Sequence, residues 1–156
     1  MRRSRSGVHT PRGWLGRLTS RLSGRFRVSY TPHHDGLPDP GEVVWAWVAY
    51  EDDPSQGKDR PVLLIGRDDV VLYGLMLTSK DHDRDAADEA RWGRYWMDVG
   101  AGGWDRERRP SEVRLDRLIV LDPAKVRREG AALDEQIFRL VVRAAARFHA
   151  LDEPRT

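Results

Sequence analysis

The sequence predicts a small, mainly β domain of the α+β kind: an antiparallel barrel with one C-terminal helix. Three observations predict it. Short runs of strand character follow one another between residues 43 and 121, separated by turn residues. One segment with helical apolar spacing follows the last of them. No long helical segment lies between strands, which argues against a βαβ sheet.

Each element has its own local reason. Asp35-Gly36-Leu37-Pro38-Asp39-Pro40-Gly41 is turn punctuation and a natural boundary. It divides the chain into an extension, residues 1–37, and a domain, residues 38–156. Val43–Tyr50 is the first strand and Pro61–Arg67 the second. Asp68-Asp69 turns into a third, Val70–Thr78. Lys80–Arg91 is a polar loop with a helical turn at Ala86–Arg91. Trp92–Val99 alternates as a fourth strand, Gly100-Ala101-Gly102-Gly103 breaks it, and Val113–Leu121 is a fifth. Asp122-Pro123 has the form of an N-cap and first helical residue for a short turn ending near Gly130. Leu133, Ile137, Leu140, Val141, Ala144 and Phe148 mark one face of the terminal helix. In the extension, Thr10-Pro11 caps a short helix carrying Leu15, Leu18, Leu22 and Phe26, against which Gly13, Gly16 and Gly24 weigh.

Composition bounds the chemistry. The chain has 156 residues, enough for one domain with an extension, and no cysteine, which excludes disulfides and thiolate metal sites. No apolar run approaches the roughly 20 residues of a membrane helix, and the basic N-terminal stretch lacks the apolar core of a signal peptide. A cytoplasmic protein without membrane partners is expected. Charge is uneven. Residues 1–34 hold eight arginines and no acid, a formal +8, while the rest hold 19 basic and 25 acidic residues, a formal −6, summing to +2. A nucleic-acid site in the domain must therefore be local, because the domain's net field repels phosphate.

One such site is suggested by Ser55-Gln56-Gly57-Lys58-Asp59-Arg60-Pro61, a polar loop delivering an arginine, followed by the apolar run Val62-Leu63-Leu64-Ile65. Pro61 restrains Arg60 toward extended geometry and holds its guanidinium at a strand mouth, where a fork of donors matches phosphate oxygens. The bland alternative for Arg60 is a surface ion pair with Asp59 or Asp53. Upstream lies Pro40-Gly41-Glu42-Val43-Val44-Trp45. In this order and spacing, over roughly residues 38–150, the chain resembles the MazF/PemK/Kid family of toxin endoribonucleases.

The resemblance implies an SH3-like barrel, the fold shared with CcdB, and a homodimer. It also implies metal-independent cleavage of single-stranded RNA, without a cofactor, by attack of the ribose 2′-OH on the adjacent phosphorus. A partner antitoxin with an acidic tail would occupy the RNA groove. Three needs follow: a cation for the phosphorane, an acceptor for the 2′-OH proton and a donor for the leaving oxygen. Arg60 aligns with the family's Arg-Pro motif and takes the phosphorane. Thr78-Ser79, at the end of the third strand, resembles the family's hydroxyl pair, with Thr78 catalytic and Ser79 phosphate-binding. The Arg60–Thr78 interval is shorter than is typical of the family, which requires a tight turn at Asp68-Asp69. Gln56, in the Gln-Gly loop, is expected to bind RNA. Arg114-Leu115-Asp116 resembles the Arg-x-Asp of the Kid branch, with Asp116 catalytic and Arg114 on phosphate. Positions i and i+2 of a strand share a face, so these two are expected to pair; the alternative is a solvent-facing ion pair of little consequence. One departure stands out. The Kid branch has a histidine in the first loop, and here Glu51-Asp52-Asp53-Pro54-Ser55 has none. Asp52 or Asp53 takes its place, or Asp116 acts alone, or activity is weak.

Other features have bland readings. His33-His34-Asp35 and Asp81-His82-Asp83-Arg84-Asp85 lack a spacing that converges metal ligands, and solvated loop is the expectation, with no metal site. Trp45 and Trp47 share a strand face, and Trp92, Trp96 and Trp104 flank the fourth strand. Barrel core or dimer interface is preferred over base stacking for them. The rival function is a non-catalytic binding module on the same fold, either a CcdB-like gyrase binder or a silent MazF homologue.

Overall fold

The computed structural model describes residues 26–33, 38–68, 70–80, 86–126 and 128–152. Its elements are β1 (Phe26–Arg27), β2 (Glu42–Ala49), β3 (Gly57–Arg67), β4 (Leu72–Thr78), α1 (Ala86–Arg91), β5 (Trp96–Gly100), β6 (Ser111–Arg114), β7 (Ile119–Leu121), β8 (Arg128–Ala132), α2 (Glu135–Ala145) and β9 (Leu151–Asp152). The main sheet runs β5-β6-β4-β3-β2-β8 and is antiparallel. One long edge of β4 serves two partners: Leu72–Gly74 pair with β7, and Leu77–Thr78 pair with β6. This forking curls the sheet into the barrel that the strand order predicted. β1 and β9 form a separate parallel pair.

Side-chain alternation divides the strands between two apolar clusters. Val43, Leu63, Ile65, Tyr73, Leu75, Leu77 and Val113 point to the side covered by α2. Val44, Ala46, Val48, Val62, Leu64, Leu72, Met76, Ile119 and Leu121 point to the other. The run Val62–Ile65 is thus buried on both faces, which is why it is continuous rather than alternating. Residues 26–33, in the stretch read as extension, also join this barrel: Val28 lies in the core and the Tyr30 hydroxyl donates to the Leu133 carbonyl at 2.6 Å. Phe26 opens β1 rather than closing a helix, while Leu15, Leu18 and Leu22 lie outside the described residues.

Several boundaries differ from the sequence reading, each for a local reason. β3 starts at Gly57, so Arg60 lies inside the strand opposite Ala46, not at its mouth. The β3–β4 ladder ends at Val62–Met76, next to Pro61, which has no N–H to extend it. Trp92 does not begin a strand. It ends α1, its N–H donating to the Asp88 and Glu89 carbonyls, and Gly93 at φ +76° follows as the cap. The single strand expected over Val113–Leu121 is two, β6 and β7, with a bend over Leu115–Leu118. Asp122 does cap a short 3₁₀ turn, Pro123–Lys125, and the segment after it forms β8 instead of ending near Gly130. Asp68 takes the N–H groups of Val70 and Val71 at 2.9 and 3.1 Å and the Tyr73 hydroxyl at 2.8 Å, a tight turn between β3 and β4.

Asp134 caps α2, accepting from the N–H groups of Gln136 and Ile137. The buried face of α2 is Phe138, Val141, Val142 and Ala145, an i, i+3, i+4, i+7 stripe. Leu140, assigned to that face from the sequence, is 52% exposed. Replacing Phe138 by Ala is expected to lower stability by about 3–5 kcal/mol, whereas Leu140→Ala should stay within about 0.5 kcal/mol. Urea midpoints with matched slopes measure both, and equal losses would refute this assignment of the buried face.

Candidate active site

Strand register assembles the site. Val62–Met76 is the last pair of the β3–β4 ladder, and Arg60 and Thr78 each lie two residues beyond it. Thr78 pairs with Glu112, and Arg114 lies two residues further along β6, opposite Trp96 of β5. Period-two alternation then turns Arg60, Met76, Thr78 and Arg114 to one face of the sheet. A cleft of about 300 Å³ opens there, lined by Ala49–Asp52, Arg60, Met76, Arg94, Arg114 and Arg117. It adjoins a larger groove of about 430 Å³ along β2 and β7, shared at Ala49 and Arg117. That groove is mainly apolar, and the convergent charge lies in the smaller cleft.

Arg114 is the centre of the cleft. Its guanidinium side chain is 7% exposed and bonded on both sides. Nε and Nη2 donate to Asp116, with distances of 3.1 and 2.8 Å to Oδ2, and Nη1 donates to Glu51 Oε1 at 2.6 Å. Burial opposes the charge on Arg114, but the hydrogen bonds and charges of Asp116 and Glu51 outweigh it and raise its pKa. The expected Arg114–Asp116 pair therefore exists, and it is buried rather than solvent-facing. Asp116 is positioned in turn by the chain around it. The Tyr95 N–H donates to its Oδ1 at 2.8 Å, and His149 Nε2 donates to the Leu115 carbonyl at 2.8 Å from just beyond α2.

The other sequence candidates lie at different distances from this centre. Arg60 is half-buried in the cleft wall. Thr78 is half-buried at the end of β4, its Oγ1 accepting from the Lys80 N–H at 3.2 Å, and Ser79 is exposed in the turn beyond. Gln56 is exposed, its carbonyl accepting from the Tyr50 N–H at 2.9 Å where the first loop closes. Asp53 is committed to that loop, with Oδ1 accepting from the Ser55 hydroxyl at 2.6 Å. Asp52 lines the cleft.

Three cleft residues were missed in the sequence. Glu51, not Asp52 or Asp53, is the first-loop acid that binds Arg114. Arg117 donates to the Ala49 carbonyl at 2.7 Å. Its pKa is lowered, by burial first and by the positive charges of Arg114 and Arg60, with Glu51 and Asp116 opposing. Arg94 is bonded to Glu89 through Nε. Only the bend after β6 turns Arg117 inward, and no local pattern announces that bend. The tryptophans divide between roles. Trp104 is buried and Trp45 donates to its carbonyl at 2.8 Å, while Trp47 lies over Gly57, where any side chain would collide with the indole. Among the described residues no group of three or more histidine or acidic side chains is arranged for a metal. The Asp81–Asp85 segment, His34 and Asp35 lie outside the described residues.

Comparison with known proteins bears on this arrangement. The profile of the PemK-like, MazF-like toxin of type II toxin–antitoxin system matches residues 39–149. The chain belongs to this family. It is a PemK/MazF-family toxin, and the matched span contains every element of the cleft. A similar solved structure is the MazE–MazF complex (Form II) from Deinococcus radiodurans. The similarity has a TM-score of 0.50 at 17% identity and covers 72% of this chain and 96% of that one, a likeness of fold. Among curated proteins the chain has no significant match.

The buried pair sets a stability prediction for this PemK/MazF-family chain. Asp116→Ala leaves Arg114 with Glu51 alone and is expected to cost about 3 kcal/mol. Glu51→Ala, at the exposed end of the network, should cost under about 1 kcal/mol. Thermal and urea denaturation of the two variants check the order, and a larger loss at Glu51 would contradict it.

Proposed function

We propose that this toxin is a metal-independent endoribonuclease that cleaves single-stranded RNA through its own 2′-OH, leaving a cyclic phosphate and a free 5′-OH. The observation that carries the reading is the cleft in which Arg60, Arg94, Arg114 and Arg117 converge. In this reading Arg60 and Thr78 receive the scissile phosphate, each lying two residues beyond the last β3–β4 pair. A guanidinium aimed into the cleft stabilises the extra negative charge of the phosphorane. Arg114 supports the same charge and holds the two carboxylates from which the proton acceptor is drawn. Ser79 and Gln56, exposed on neighbouring turns, contact flanking nucleotides.

The same reading includes two protein partners. An antitoxin with an acidic tail competes with RNA for the arginines, as a disordered anionic segment would on a cationic cleft. A second copy of the chain covers the apolar groove beside the cleft, where Trp47 is half exposed. Among the described residues no helix is long and apolar enough to cross a membrane.

The experiment is cleavage of a long single-stranded RNA in excess EDTA. Wild type is expected to cut and to leave cyclic phosphate ends, and Arg60→Ala to cut at least about 100-fold more slowly, the scale of one lost transition-state donor. Loss of cutting in EDTA would refute the metal-independent mechanism. Absence of cutting by a folded wild type would turn the assignment toward a binding module on this fold.

A further inference from the structure

The geometry points to Glu51 as the group that takes the 2′-OH proton, with Asp116 as the residue that positions Arg114. This rests on the ribonuclease reading above and names a residue that neither the family pattern in the sequence nor the missing loop histidine identified.

The two carboxylates on Arg114 differ in what they have left to give. Asp116 Oδ1 accepts from the Tyr95 N–H and from Arg114 Nε, and Oδ2 accepts from Arg114 Nε and Nη2. Its side chain is 11% exposed, so both oxygens are occupied and shielded. Glu51 is 51% exposed and lines the cleft, and Arg114 holds it through Oε1. Its second oxygen is open to an incoming hydroxyl. A general base must reach the proton it removes, and geometry decides between these two before acidity does.

Glu51 is also firmly mounted. The Tyr50 N–H donates to the Gln56 carbonyl at 2.9 Å, and the Gln56 N–H donates to the Asp53 carbonyl at 3.0 Å. Asp53 further binds Ser55, which removes it as a competing base and stiffens the loop. Charged groups face Glu51 from every side. Asp52 lies in its own loop, Arg60 on β3, Arg94 before β5, Arg114 on β6, and Asp116 and Arg117 in the bend beyond.

The step balances without a co-reactant other than water. The 2′-O–H bond breaks and its proton passes to Glu51. The 2′-oxygen bonds to phosphorus, the P–O5′ bond breaks, and the leaving 5′-oxygen takes a proton from water. Glu51 then returns its proton to solvent.

The test is single-turnover cleavage across pH by wild type, Glu51→Gln and Asp116→Asn, with binding of an RNA carrying a 2′-deoxy sugar at the cut site measured in parallel. Wild type should lose rate on the acid side by about tenfold per pH unit, as one carboxylate protonates. Glu51→Gln should fall by about 100-fold or more, lose that acid limb and bind the 2′-deoxy RNA at least as tightly as wild type. Asp116→Asn should be slower yet keep the acid limb. An acid limb that persists in a folded Glu51→Gln at near wild-type rate would overturn the assignment and leave the ribonuclease reading standing. Wild type that does not cut RNA would overturn both. Asp116→Asn depends on a buried ion pair to fold, whereas Glu51→Gln changes an exposed residue, so the decisive variant does not rest on the fragile one.

Discussion

A guanidinium that is almost wholly withdrawn from water must find its hydrogen bonds inside the protein, and Arg114 finds them in two separate parts of the chain. That constraint organises the functional end of the molecule. To reach Arg114 from only two residues away, Asp116 leaves the β ladder, and the strand expected to be continuous splits into β6 and β7. The bend then carries Arg117 into the cleft wall, where it ties down the end of β2 through the Ala49 carbonyl. On the other side, Glu51 brings the β2–β3 loop onto the same cation. The end of the terminal helix joins in through His149 and Leu115, so the helix that caps the core also steadies the cleft.

Packing supplies the rigidity on which this depends. β3 is sandwiched between β2 and β4 with apolar side chains on both faces, so Arg60 extends from a strand with little freedom to shift. The β3–β4 ladder ends at Val62–Met76, two residues short of Arg60, while the opposite edge of β4 goes on to pair with β6. Pairing with β6 is what brings Thr78 and Arg114 to the same sheet corner. The polar cleft is thus built at the point where one strand changes partners.

Much of this was legible in the sequence, and the omissions have physical causes. Val62–Ile65 announced a buried strand, and the spacing of Arg114 and Asp116 announced their pairing, although Asp116 makes it from the bend beyond β6 rather than from the strand. The position of Arg60 inside β3 is hidden because Gly57, Lys58 and Asp59 look like loop residues, yet they pair with Ala49, Val48 and Trp47 in the ladder. On α2, Phe138 was passed over for Leu140 since both fit an apolar helix, and only the sheet beneath selects the stripe. Glu51 was invisible as a site residue because its partner lies 63 positions away and an acidic loop ordinarily reads as solvent-facing. β8 carries too few apolar side chains to signal a strand, and its place is fixed by pairing with β2.

The carboxylates that fix the cleft also set its electrical balance. Four arginines, at 60, 94, 114 and 117, stand beside four acids, at 51, 52, 89 and 116, and the local sum is close to zero. Affinity for a polyanion ordinarily weakens with salt in proportion to the phosphates neutralised, by about 0.7 of a logarithmic unit per phosphate for single strands. A cleft that carries its own anions displaces fewer ions from the polymer than its arginine count suggests. In the proposed ribonuclease, such a cleft would hold phosphate through directed donors rather than bulk attraction, with occupancy governed by fit more than by ionic strength. The strongly cationic stretch of this chain is separate from it in sequence, in residues 1–34.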